Sequence, residues 1–180
     1  MLPSPDLAPL ARFLTPQQIA SLQITPAEPA ALPSDARQLL VHEGDMTSRL
    51  EAFHGEPLRV RALRVQPPET DPGTYAREVI LETCESHRPV EYGAIVIELG
   101  AVGADLRAAI TEAREPLGAI LEGAGLPMAS QPAAFFRADA DAYLAPLLGV
   151  VPGAILHGRR NRLLIDGETT VAEIVEIVPQ

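Results

Sequence analysis

The sequence contains no lysine; all 14 of its basic residues are arginines. Without lysine there is no Schiff-base amine, which excludes a conventional pyridoxal phosphate enzyme. The lysine-bearing phosphate loop of nucleotide-binding proteins is excluded for the same reason. Cysteine is almost as scarce. Cys84 stands alone, so neither an intrachain disulfide nor a cysteine-rich zinc site can form. It lies in a strand-like run, where a lone cysteine is expected as a small buried hydrophobe, not a nucleophile. The histidines His42, His54, His87 and His157 never fall at metal-ligand spacing, so no metal is expected. No run approaches the ~20 apolar residues that span a bilayer. The first residues, MLPSPDLAPLARFL, lack the basic leader and apolar core of a secretory signal, so a cytoplasmic protein is expected.

Positive charge is also short overall, with a formal net charge of −10. An acidic surface repels phosphate backbones, and nucleic acid is not an expected partner. The same surface repels small anions unless a pocket gathers positive groups.

What is present suits one core: 180 residues, 47% of them hydrophobic. Seven of the 18 prolines fall within residues 1–33, which predicts an arm laid over the main body at 34–180. Pro16–Leu22 is a short helix by its Thr15 cap and first-turn proline. Helices are predicted over Asp35–Val41 and from an Asp45 cap to Phe53. Strands follow at Pro57–Gln66, Thr74–Thr83 and Pro89–Leu99. Val102–Ala113 and Pro116–Glu122 read as helices. Gly123 to Pro152 mixes signals and is left open. Ala154–Ile165 and Thr169–Val178 form a hairpin about Asp166-Gly167. This order predicts an α+β fold with a mostly antiparallel sheet.

Two charges stand out on apolar rows. Tyr75, Arg77, Val79 and Leu81 share one face of a strand, and an arginine there must meet an anion, because an unpaired buried charge costs several kcal/mol. That anion is either an internal carboxylate or a ligand's. In the hairpin, a two-residue turn sets Ile165 opposite Glu168, Arg162 opposite Val171 and Arg160 opposite Glu173. Glu173 then shares a row with Val171, Val175 and Ile177. It either pairs with Arg160 across the strands or enters a pocket. Glu176, on the other face, is its rival.

Several segments together resemble the chorismate pyruvate-lyase family. They are Leu39-Leu40-Val41 leading to Met46-Thr47-Ser48-Arg49-Leu50-Glu51, then Arg77-Glu78-Val79-Ile80-Leu81, Pro116-Leu117-Gly118, Gly158-Arg159-Arg160-Asn161-Arg162-Leu163, and Glu173. They cover roughly residues 37–178 in family order. The resemblance implies an antiparallel sheet with helical flaps over a buried ligand. It also implies cleavage of chorismate to 4-hydroxybenzoate and pyruvate, without cofactor, in a route such as ubiquinone synthesis. Arg77 would hold the ring carboxylate and Glu173 the hydroxyl end, with Met46 and Leu117 touching the ligand unless they are ordinary core residues. Arg160 or Arg162 would assist the departing enolpyruvyl group. The alternative on the same scaffold is a non-catalytic effector domain like those attached to certain bacterial repressors. Such a module follows a DNA-binding helix-turn-helix, which the acidic, proline-rich residues 1–33 cannot supply, and this favours the enzyme.

Overall fold

The computed structural model describes residues 6–68 and 73–179; the first five residues of the expected arm and Gln180 lie outside them. Short helices open the chain: α1 (Ala8–Ala11) and α2 (Pro16–Ser21). In α2 the Thr15 hydroxyl accepts from Gln18 N while the Gln18 side chain accepts from Thr15 N, a reciprocal cap. A three-residue strand, β1 (Thr25–Ala27), precedes α3 (Ser34–Leu40) and α4 (Met46–His54). Asp45 caps α4 by accepting from Ser48 N at 2.7 Å. Strands β2 (Leu58–Gln66), β3 (Thr74–Thr83) and β4 (Pro89–Glu98) follow. Then come α5 (Ala104–Glu112), α6 (Leu117–Gly123), β5 (Met128–Asp139), α7 (Leu144–Leu148), β6 (Ile155–Ile165) and β7 (Thr169–Pro179).

The strands form one antiparallel sheet in the order β1-β5-β6-β7-β4-β3-β2. The fold is α+β with a seven-stranded antiparallel sheet, as the sequence predicts. Both sheet faces are covered. On one, α1, α2 and α7 bring Leu10, Leu22 and Leu144 against Ile80, Tyr92 and Phe136. On the other, α3 and α4 pack Leu39, Leu40 and Leu50 against Leu81 and Val178, while α5 and α6 pack Ile110 and Leu121 against Ile97 and Leu163. Burying each such side chain stabilises the fold by about 1.5–3 kcal/mol.

The open stretch from Gly123 to Pro152 contains β5 and α7. Pro132 hides the strand in the sequence, since proline breaks a central ladder. It is tolerated because β1 covers β5 only at Phe135–Arg137, leaving the Pro132 edge free and the ladder to β6 bulged there. The hairpin register differs from the two-residue pattern. Ile165 faces Thr169, and a bulge at Val171 then sets Arg162 opposite Glu173 and Arg160 opposite Val175. Asp166 (φ 56°) and Gly167 (φ 72°) take the left-handed conformation that the turn needs. Cys84 corrects another expectation. It is exposed in the β3–β4 turn, beyond the last residue whose side chain the sheet buries.

Candidate functional site

Because side chains alternate along a strand, antiparallel pairing stacks them into rows across each face. On the face under α4 and α6, one row runs Arg77, Ile95, Ile174, Asn161 across β3, β4, β7 and β6. The next runs Val79, Gly93, Glu176, Arg159. Beyond it Leu81 faces Glu91. All these residues border one cavity of about 80 Å³, roofed by Asp45 with Met46 and Thr47 of α4 and by Pro116 with Leu117 and Gly118 of α6.

Arg77 is 3% exposed. Its Nη2 donates to the Glu115 carbonyl at 2.9 Å, tying β3 to the loop that leads into α6. Its Nε and Nη1 have no protein partner among the described residues. Burial pulls its pKa down, and only Tyr75 opposes that; arginine nonetheless stays charged in proteins. No carboxylate of the described residues pairs with it. A buried guanidinium with two free N–H positions has the chemistry to bind an anion.

The floor beside it is polar and largely matched. Arg159, fully buried, donates through Nε to Glu176 and through Nη1 to the carbonyls of Leu40 (2.9 Å) and His42 (3.1 Å). It thereby holds the chain after α3 on the sheet; its Nη2 has no partner among the described residues. Asn161 Nδ2 donates to Ser130 Oγ at 2.6 Å, leaving Oδ1 unpartnered there. Glu91 is buried, and its Oε2 has no partner among the described residues. Burial first, then the nearby Glu176 carboxylate and Asp45, raise its pKa well above the ordinary carboxyl range, against the pull of Arg159.

Arg77, Met46 and Leu117 therefore border one cavity, whereas Glu173 does not. Glu173 faces Val96, which faces Ala76, so it belongs to the opposite side of the sheet from Arg77. There it accepts from Arg160 Nη2 at 2.6 Å, with Arg162 Nε 3.7 Å away. The expected place of Glu173 in the pocket is corrected: Glu176 stands there instead. Arg160 and Arg162 share the face of Glu173, and Arg159 is the hairpin arginine of the cavity. The physical reason is that both sheet faces are apolar, so an acidic residue on an apolar row does not reveal which face holds the hollow. Glu91 and Arg159 were missed outright. The signal that could have found Glu91 is the alternation along β4, which puts it on one face with Gly93, Ile95 and Ile97.

A wider hollow of about 410 Å³ adjoins the cavity at the α4–α6 seam, sharing Gly44, Asp45, Ser130 and Leu163 with it. The closed cavity is smaller than the ~150 Å³ that admits benzene in an engineered apolar site. A ring-sized ligand thus needs the covering segments to give way toward that seam. No helix is long and apolar enough to cross a membrane among the described residues.

No family model and no curated protein matches the chain. Solved structures do. The chain is similar to PhnF from Mycobacterium smegmatis, with TM-score 0.59 and 14% identity over 77% of this chain and 65% of that one. It therefore spans just under two thirds of that protein. The effector domain of PhnF alone gives TM-score 0.57 and 13% identity over 76% of this chain and 88% of the domain. The ligand-binding domain of a GntR-family transcriptional regulator from Bordetella bronchiseptica gives TM-score 0.50 and 18% identity, covering 67% and 84%. At such identities the likeness establishes the fold alone, one shared with the effector domain of PhnF and with the Bordetella ligand-binding domain.

Proposed function

We propose that this chain is a ligand-binding domain that captures a compact organic anion, of the aromatic-acid class, in the cavity beneath α4 and α6. The observation that carries this reading is Arg77, a buried guanidinium with two unpaired N–H positions at a cavity wall and no carboxylate of the described residues to match it. The apolar walls, Val79, Leu81, Ile95 and Ile174, suit a ring. Met46 and Leu117 close over it, and Glu176 with Arg159 forms the polar floor. The likeness to effector domains supports capture without turnover. Titration calorimetry with 4-hydroxybenzoate tests this. Binding by the wild type and its loss by about 2–5 kcal/mol in Arg77→Ala are expected; equal binding by both proteins overturns the reading.

A second reading is cleavage of chorismate to a hydroxybenzoate and pyruvate. The convergence of Arg77, Met46 and Leu117 on one hollow supports it. Losing the enolpyruvyl group aromatises the ring, so the reaction needs orientation and charge stabilisation more than a strong acid. Arg77 would orient the ring carboxylate, and Arg159 would face the charge on the departing group. Pyruvate release from chorismate, abolished in Arg77→Ala, would establish turnover. Binding of the aromatic acid without pyruvate release would leave the sensing domain.

A further inference from the structure

Glu91 is a cavity carboxyl that the anion site does not use. It rises from β4 onto the floor, is 4% exposed, and has no partner for Oε2 among the described residues. It lies two rows along from Arg77, roughly 13 Å by strand spacing. Gly93 lies between them and keeps the floor low. A Cβ there would stand 3.2 Å from Val79 Cγ2 and 3.4 Å from Glu91 Oε1. A molecule anchored on Arg77 and lying along β4 therefore ends against Glu91.

The surroundings fix the form in which Glu91 meets it. Burial and the adjacent Glu176 favour the protonated form, Asp45 from the α4 cap adds to this, and Arg159 opposes it while already bonded to Glu176. A neutral carboxyl can donate to an uncharged oxygen and accept from a hydroxyl. Charge matching points the same way. Arg159 and Glu176 answer each other, so Arg77 is the one cation of the described cavity wall without a counter-charge. One negative charge on the ligand satisfies it, and a second would be buried near Glu176 and Asp45.

We propose that Glu91 sets the ligand class: the cavity takes an organic monoanion that rests its charge on Arg77 and turns an uncharged hydrogen-bonding group, such as a phenol hydroxyl or a carbonyl, toward Glu91. This rests on the reading of Arg77 as anion anchor and adds the identity of the far end.

Calorimetry with 4-hydroxybenzoate, benzoate and terephthalate reads both ends. Wild-type protein is expected to bind the hydroxy acid roughly 5-fold tighter than benzoate and roughly 10-fold or more tighter than terephthalate. Glu91→Leu erases the preference over benzoate, and Glu91→Gln, which keeps a neutral donor, restores it. If Glu91→Leu keeps the preference, or terephthalate binds as well as the hydroxy acid, the role of Glu91 is overturned, while binding that still depends on Arg77 leaves the anion site standing. Failure of every probe to bind, or binding indifferent to Arg77→Ala, sinks the anion site and this inference with it. A ligand-free measurement decides Glu91 separately. A protonated-carboxyl C=O band in the infrared at neutral pH, absent from Glu91→Gln, is expected, and its absence from the wild type overturns the assignment.

Discussion

Gly118 meets Asp45 so closely that a Cβ on Gly118 would stand 2.2 Å from Asp45 Oδ1. The contact joins the first turn of α6 to the cap of α4, the two segments that roof the cavity. Asp45 cannot simply swing aside, because its other oxygen holds Ser48 N. Giving up that cap costs about 0.5–2 kcal/mol, and forcing the methyl in costs about 1–3 kcal/mol. Gly118→Ala is therefore expected to part the roof, speeding ligand release about tenfold with a modest loss of stability. Stopped-flow displacement of a bound aromatic acid measures it, and an unchanged release rate would mean the seam is not the gate.

On the proposed reading, Arg77 serves binding at the expense of the fold. An unpaired buried cation destabilises the empty protein, and replacing buried charge with a well-packed apolar side chain is often neutral or stabilising, by about 1–4 kcal/mol. Arg77→Met keeps the length and suits neighbours such as Ile95. Without ligand the variant is expected to melt higher, by about 2–4 °C for each kcal/mol gained, and to bind no anion. Calorimetric melting of both proteins checks it. A lower melting point would show that the bond to the Glu115 carbonyl outweighs the charge penalty.

The row of Arg77 was legible because β3 has clean period-two alternation and sharp turn signals at both ends. The sheet partners were not, since pairing is a tertiary choice. Glu91 sits two residues after Pro89, where a glutamate reads as a solvated strand rim; only its place opposite Leu81 buries it. Gly158-Arg159-Arg160-Asn161-Arg162 puts polar groups on both faces, so alternation could not single out Arg159. Glu173 and Glu176 differ by three positions and so fall on opposite faces, yet both rows are apolar. Leu10 and Leu22, from the proline-rich residues 1–33, lie in a buried cluster, whereas the three-residue strand β1 carries too few residues, one of them proline, to show periodicity.

Glu78 and Glu173 give a contrast between a fully buried and a half-buried carboxylate. Glu78 is fully buried and accepts from Arg64 Nε (2.6 Å), Tyr92 Oη (2.7 Å) and Tyr143 Oη (2.9 Å). Burial, together with the carboxylate beside them, pushes the Tyr143 hydroxyl up to about 12 and that of Tyr92 higher still. Removing Glu78 strands three groups at once, so Glu78→Ala is expected to destabilise by about 3–5 kcal/mol. Glu173 is half-buried and accepts from the buried Arg160, which keeps Asp6 as a second acceptor, so losing it is expected to cost about 1–3 kcal/mol. Glu173→Ala is expected to cost less than Glu78→Ala and to leave ligand binding intact. Urea denaturation of both variants, with a binding titration of the second, tests this. Loss of binding in Glu173→Ala would return that residue to the pocket.

The buried carboxyl of Glu91 also leaves a mark on stability against pH. Its folded pKa is raised, by burial first and then by Glu176, so the native state holds a proton that the unfolded chain releases near 4.5. Where the native state binds more protons, stability falls as pH rises. The contribution of Glu91 is thus fully present below about pH 4.5 and is lost progressively above it, up to the folded value. His42, His54 and His157 act in the opposite sense, because burial lowers each of them, and stability gained from a depressed histidine rises toward its unfolded value near 6.5. The wild-type profile mixes these slopes, and the difference from Glu91→Gln isolates one. That difference is expected to grow in favour of the variant as pH climbs from about 5 to 8. Parallel melting curves across this range measure it. A constant difference would mean that Glu91 ionises as readily in the fold as in the open chain, and the cavity floor would then carry one more negative charge than its geometry accommodates.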